Sequence, residues 1–155
     1  MKTFLSFIVI LIFVISLTRS LYAQSETTMQ DILETVTGKT TELEDEKDQE
    51  IVNITIDLLG GSNIKTVTRY LDPAFDYTVI AFGDRRISKL RLNVKRMNGA
   101  DWEYVSEVTG SMPDLKITPP DYVMYSFTIN VEEFKPDKST GHFAILIYHK
   151  NPLKN

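Results

Sequence analysis

Asp76-Tyr77-Thr78-Val79-Ile80-Ala81-Phe82-Gly83-Asp84 is followed by Arg85-Arg86-Ile87-Ser88-Lys89-Leu90-Arg91-Leu92-Asn93-Val94-Lys95-Arg96-Met97. Asn98-Gly99-Ala100-Asp101-Trp102-Glu103-Tyr104-Val105 then carries the stretch on to Val108. Tyr77 to Phe82 is apolar at nearly every position, the pattern of a strand buried on both faces at the centre of a sheet. From Ser88 to Met97 the period is two, with Leu90, Leu92 and Val94 on one face. Asn98-Gly99 is the preferred two-residue hairpin turn, because both residues tolerate positive φ. Trp102 to Val108 is then the returning partner. The stretch reads as three consecutive antiparallel strands.

The same signals recur on either side. Val52, Ile54, Ile56 and Leu58 alternate with Asn53, Thr55 and Asp57, which predicts a half-buried strand with the apolar set inward and an end at Gly60-Gly61. Ile64 to Leu71 is rich in β-formers and stops at Asp72-Pro73. Residues 110–120 hold Pro113, Pro119 and Pro120 and are irregular, apart from a short strand around Leu115 to Ile117. Val123, Tyr125, Phe127, Ile129 and Val131 line one face of a long strand. His142 to His149 is again apolar on both faces. These signals predict an all-β chain, an antiparallel β-sandwich or jelly roll of seven or eight strands.

Upstream the character changes. Lys2, the apolar run from Phe4 to Leu17 and the small residue of Leu21-Tyr22-Ala23 have the layout of a secretory signal peptide over residues 1–23. The rival is an uncleaved anchor, but a span needs about 20 apolar residues. Cleavage would leave Gln24 first, no stable membrane span and a net charge of −6. Met29, Ile32, Leu33 and Val36 follow the i, i+3, i+4, i+7 spacing of one helical face, with Ser25, Thr27 or Thr28 as cap and Gly38 as stop. Residues 37–50 hold little that is apolar except Leu43 and read as a solvated linker. The arm 24–50 carries a net charge of −7, against +1 for residues 51–155. The expected division is therefore signal peptide 1–23, helix and acidic linker 24–50, sandwich 51–150 and tail 151–155. The chain has no cysteine, so an exported fold would rest on its core without disulfides.

Residues 51–150 resemble the bacterial pre-peptidase C-terminal (PPC-like) domains. The resemblance rests on Leu71, Tyr77 to Phe82, Gly83-Asp84, Leu90-Arg91-Leu92-Asn93-Val94, Asn98-Gly99, Ile117-Thr118-Pro119-Pro120, Tyr125 to Val131, and Gly141-His142-Phe143-Ala144 through Tyr148. It implies a bacterial, secreted β-sandwich module of the kind appended to exported enzymes. Lys89 and Arg91 stand where that family has an acidic pair, so no cation role of that pair is implied here.

Two surfaces are candidates for function. Arg85, Arg86, Lys89, Arg91 and Lys95 form the one basic concentration, with alternate strand residues about 6.6 Å apart. They offer a site for an anionic partner, a protein or an acidic polysaccharide. The alternatives are a solvated face and a resting place for the chain's own acidic arm. The second surface arises because, if one face of the two central strands fills the sandwich, Ile80, Phe82, Leu146 and Tyr148 lie on the other. The helix face of Met29, Ile32, Leu33 and Val36 is the expected cover, with a partner chain as the alternative.

Catalytic signals are thin. His142 and His149 face opposite sides of one strand, roughly 20 Å or more apart, and cannot share a metal. Neither a Gly-x-Ser-x-Gly elbow nor a His-Glu-x-x-His motif occurs. No cofactor is expected, although loop carboxylates at Asp84, Asp101, Asp114 and Asp121 have the chemistry for calcium. Trp102 and Tyr104 could stack on a sugar ring, and core packing is the expected use. Net negative charge argues against nucleic acid. The expected protein is a non-enzymatic binding or structural module of the periplasm or extracellular space. The alternatives are an accessory subunit of an envelope or secreted complex and a hydrolase with an unrecognised site.

Overall fold

The computed structural model describes residues 29–153. The expected signal peptide, the residues expected to start and cap the helix and the last two residues lie outside that range. Eight strands form two four-stranded antiparallel sheets. They are β1 (Gln49–Gly60), β2 (Ile64–Leu71), β3 (Tyr77–Gly83), β4 (Ile87–Asn98), β5 (Asp101–Gly110), β6 (Asp114–Ile117), β7 (Val123–Phe134) and β8 (Thr140–Lys150). One sheet has the order β1-β8-β3-β6 and the other β2-β7-β4-β5. Every connection passes from one sheet to the other except the β4–β5 hairpin, which is jelly-roll connectivity. The two strands that are apolar on both faces, β3 and β8, are adjacent in the middle of the first sheet.

The stretch that opened the reading is thus split. Strand β3 does not pair with β4. The chain turns at Asp84 and crosses to the second sheet, where β4 and β5 form a hairpin. Its two turn residues are Gly99 and Ala100 rather than the expected Asn98-Gly99, because Asn98 still pairs with Asp101 and only Gly99, at φ 63°, has positive φ. Between the sheets lie Leu59, Leu71 and Val79 with Leu90, Leu92 and Val94, and above all Phe127, Ile129, Phe143, Ile145 and Ile147.

A second apolar layer covers the outer face of the first sheet. Helix α1 (Met29–Thr41) places Ile32 and Val36 on Ile80, Phe82, Ala144 and Leu146, with Ile51, Ile56 and Tyr148 at the margin. Met29 and Leu33 lie on the exposed flank of the same helix. Gly38 does not end it. The helix runs on to Thr41 and passes into a π-helical turn at Glu42–Glu46, whose Leu43 is buried in the same layer. The solvated linker expected over residues 37–50 is therefore absent, and β1 begins at Gln49. The cost of an interior glycine, about 1 kcal/mol relative to alanine, is offset by burying Leu43. Lys39 and Lys47 both hydrogen-bond Glu42 and hold its carboxyl down to about 2.

Strand β1 also corrects the sequence. A bulge shifts its register between Ile51 and Asn53, and its apolar row does not enter the sandwich. Val52, Ile54 and Leu58 are exposed, and Ile56 packs under the helical layer. The inward row is polar at Asn53, Thr55 and Asp57 and apolar only at the buried Leu59, and Asp57 pairs across the open edge with Lys65 of β2 at 2.7 Å.

Close packing at the β3–β4 turn depends on glycine. A Cβ on Gly83 would stand 2.6 Å from the Cβ of Ile87, which no rotamer change relieves. Gly83→Ala is expected to lower stability by about 1–3 kcal/mol, the cost of overpacking. Urea unfolding measures this, and a loss below about 0.5 kcal/mol would show that the turn yields freely.

Candidate functional sites

At one end of the sandwich the β3–β4 and β7–β8 turns meet. The Asp84 side chain is fully buried there, and its carboxylate accepts from the Arg86 and His142 backbone N–H groups at 2.9 and 2.8 Å. Arg86 Nε and Nη2 donate to the same carboxylate at 2.9 and 2.5 Å, and Nη2 also donates to His142 Nδ1 at 3.0 Å. A guanidinium can only donate, so Nδ1 is an acceptor and the neutral ring carries its proton on Nε2. Burial pushes the Asp84 carboxyl up. The Arg86 guanidinium and the His142 and Arg86 backbone N–H groups outweigh it and hold the carboxyl below the usual carboxylate range. Lys135 N–H donates to the Arg86 carbonyl at 2.9 Å, tying the second turn to the first. Above this clamp lies a depression of about 250 Å³ lined by Arg85, Arg86, Lys135 and Lys138.

The rest of the expected basic stripe behaves differently. Lys89 pairs with Glu133 at 2.6 Å, and Arg91 with Glu132 at 2.7 Å and Glu107 at 3.6 Å. These carboxylates come from the neighbouring strands, so the outer face of the second sheet is charge-balanced rather than net positive. Arg85, in contrast, meets Asp31 of the helix at 3.1 Å, so the acidic arm does touch the basic region, at its turn end.

Among the described residues nothing covers the outer face of the second sheet, and its distal end is aromatic. The register sets Tyr104 beside Lys95 and Trp102 beside Met97 on β4 and β5, while Tyr70 lies beside Met124 on β2 and β7. Tyr70 stacks on Tyr122 with centroids 5.3 Å apart. Tyr70 is 56% exposed, Trp102 41%, Tyr104 61% and Tyr122 65%, so the core role expected for Trp102 and Tyr104 is not the one they have. No local signal places them, since simple alternation would set Trp102 and Tyr104 on the same face as Ser106 and Val108. They sit on the face of β5 opposite Ser106 and Val108, and a bulge at Val105 resets the alternation between them.

The histidines serve packing and turns. His149 is buried, stacked on Phe75 at 4.1 Å and edge-on to Tyr77 at 5.4 Å, and its Nδ1 donates to the Lys150 carbonyl. His142 belongs to the Asp84 clamp. Among the described residues neither histidine bonds a serine or threonine hydroxyl, and no three His, Asp or Glu side chains gather as metal ligands. Asp84, one of the four loop carboxylates considered for calcium, is committed to Arg86 instead. No described helix is long and apolar enough to cross a membrane.

No protein-family model matches the sequence, and no curated protein matches it. Among solved structures, a mitogen from Yersinia pseudotuberculosis is similar at 12% identity and a TM-score of 0.48, over 63% of this chain and 84% of the mitogen. A periplasmic inhibitor of g-type lysozyme from Aeromonas hydrophila is similar at 12% identity and 0.47, over 63% and 84%. A protein of Bacillus endospore appendages, described as disulfide-linked pili, follows at 13% identity and 0.37, over 66% and 86%. None of these similarities is close enough to carry function.

Proposed function

We propose that this chain is an exported, non-enzymatic β-sandwich module that binds a partner protein in the periplasm or outside the cell. The surface is the aromatic end of the second sheet. The observation that carries the reading is the pair of exposed aromatic walls, Tyr70 with Tyr122 and Trp102 with Tyr104, over half-buried Met97 and Met124. Across four strands at roughly 4.8 Å spacing the walls stand about 14 Å apart. Tyrosine, tryptophan, methionine and arginine are the residues enriched where protein interfaces concentrate their energy. The flanking ion pairs then form a rim, where exposed charges set orientation more than affinity. An acidic polysaccharide finds no net positive charge on this face. The signal-like residues 1–23 and the resemblance to secreted PPC-like modules support export.

A second reading, an accessory subunit held through its helix, is favoured by the exposed flank of Met29 and Leu33.

The test is affinity capture from envelope extract with the wild-type chain, a Tyr70→Ala/Trp102→Ala/Tyr104→Ala variant and a Met29→Ser/Leu33→Ser variant. The aromatic variant is expected to weaken the captured partner about 30-fold or more, since a single hot-spot residue contributes about 2 kcal/mol. Equal capture by the aromatic variant, with loss in the helix variant, would overturn the first reading in favour of the second.

A further inference from the structure

We propose that the depression between the β3–β4 and β7–β8 turns is an oxyanion site, taking a sulfate, phosphate or carboxylate group carried on a larger ligand. The site lies at the far end of the molecule from the aromatic walls and uses none of their residues, so it stands independently of the reading above.

Three observations point to it. The lining is Arg85, Arg86, Lys135 and Lys138, with no carboxylate among them. Arg86 is fixed before any ligand arrives. Its side chain is 13% exposed, and Nε and Nη2 are held by the buried Asp84 and by His142. That leaves the two N–H groups of Nη1 with no bond among the described residues, free charged donors for an oxyanion. Finally, Lys135 and Lys138 have no carboxylate within ion-pair distance among the described residues, unlike Lys89 and Arg91 on the neighbouring sheet face.

The acidic groups nearby do not cancel the site. Asp84 lies beneath Arg86 and orients it. Asp31 reaches only Arg85, which remains half-exposed. Asp137 shares the β7–β8 turn but does not line the depression. A pre-oriented guanidinium loses less entropy on binding than a free side chain, and two mobile ammonium groups add charge without demanding fixed geometry.

The experiment is a titration followed by NMR and calorimetry at low ionic strength. The probes are inorganic sulfate, inorganic phosphate, a heparin tetrasaccharide and a short polygalacturonate. Saturable shifts confined to the Arg85–Ile87 and Lys135–Lys138 turns are expected, and the probe that binds tightest identifies the anionic group and its carrier. Lys135→Glu/Lys138→Glu, two exposed positions, is expected to cost about tenfold or more in affinity, the loss of two charged contacts, with an unchanged melting temperature. Lys150→Glu, at the opposite end of β8, is expected to leave binding as it was. Non-saturating shifts with all four probes, or equal losses in the two variants, would overturn the proposal, because either result means diffuse charge attraction rather than a site.

Discussion

Replacing Asp84 by alanine is expected to lower the stability of the sandwich by about 3–5 kcal/mol, the usual consequence of removing one partner of a buried ion pair. The substitution strands more than one group. Arg86 loses the acceptor for Nε and Nη2 while only 13% exposed, and the Arg86 and His142 backbone N–H groups lose theirs. Asp84→Asn is expected to fall short of rescue, because an amide presents a donor to a guanidinium that can only donate. The same carboxyl makes the fold sensitive to acid. Its pKa in the folded protein lies below the ordinary carboxylate value of 3.8. Its contribution is therefore complete above that value and is lost as the pH falls through the lower folded one. Urea unfolding at pH 7 and in steps from pH 5 to 2.5 measures both effects. A cost under about 1 kcal/mol at pH 7, typical of an exposed pair, would show that water reaches this carboxylate.

Ile32→Ala is expected to cost about 2–5 kcal/mol, the range for a large-to-small change in a core, although Ile32 lies outside the sandwich proper. It is fully buried between α1 and the first sheet, where it covers Ile80, Phe82 and Leu146. A helix of three to four turns is marginal in water by itself, so its order depends on this contact. Loosening it uncovers a contiguous apolar patch, and increased binding of a hydrophobic dye below the unfolding midpoint should accompany the lost stability. If Ile32→Ala unfolded with wild-type stability and no dye response, the helix would contribute nothing to the fold. Ile145→Ala, inside the sandwich, is the comparison. It should cost a similar amount, but without dye binding before global unfolding.

Both effects arise where parts of the chain meet that are far apart in sequence. Asp84 and His142 are joined across the sandwich end, and Arg91 finds Glu132 on the adjacent strand. Local pattern carries no information about such partners. The basic stripe reads as a positive surface because the carboxylates that balance it lie on other strands. Conversely, the depression at Arg85 and Arg86 was half legible. Its two arginines are adjacent in sequence, but Lys135 and Lys138 arrive from the β7–β8 turn and carry no motif of their own.

What the chain determines by itself is the set of elements. Period-two alternation, the doubly apolar β3 and β8, the glycine at the β4–β5 hairpin and the proline-marked breaks place the strands in order, to within a few residues at their ends, because these are properties of residues close together in the chain. Tertiary structure decided which way each face points and what lies against it. Alternation says that Val52, Ile54 and Leu58 share one side of β1. It cannot say that this side turns away from the sandwich, which follows from the bulge after Ile51 and from β1 being an edge strand. The helix likewise runs through Gly38 because a sheet face and Leu43 reward its extension. The physical reason is common to all of these. Strand period and turn chemistry are local free energies, whereas burial and ion pairing are settled only when two distant surfaces close on each other.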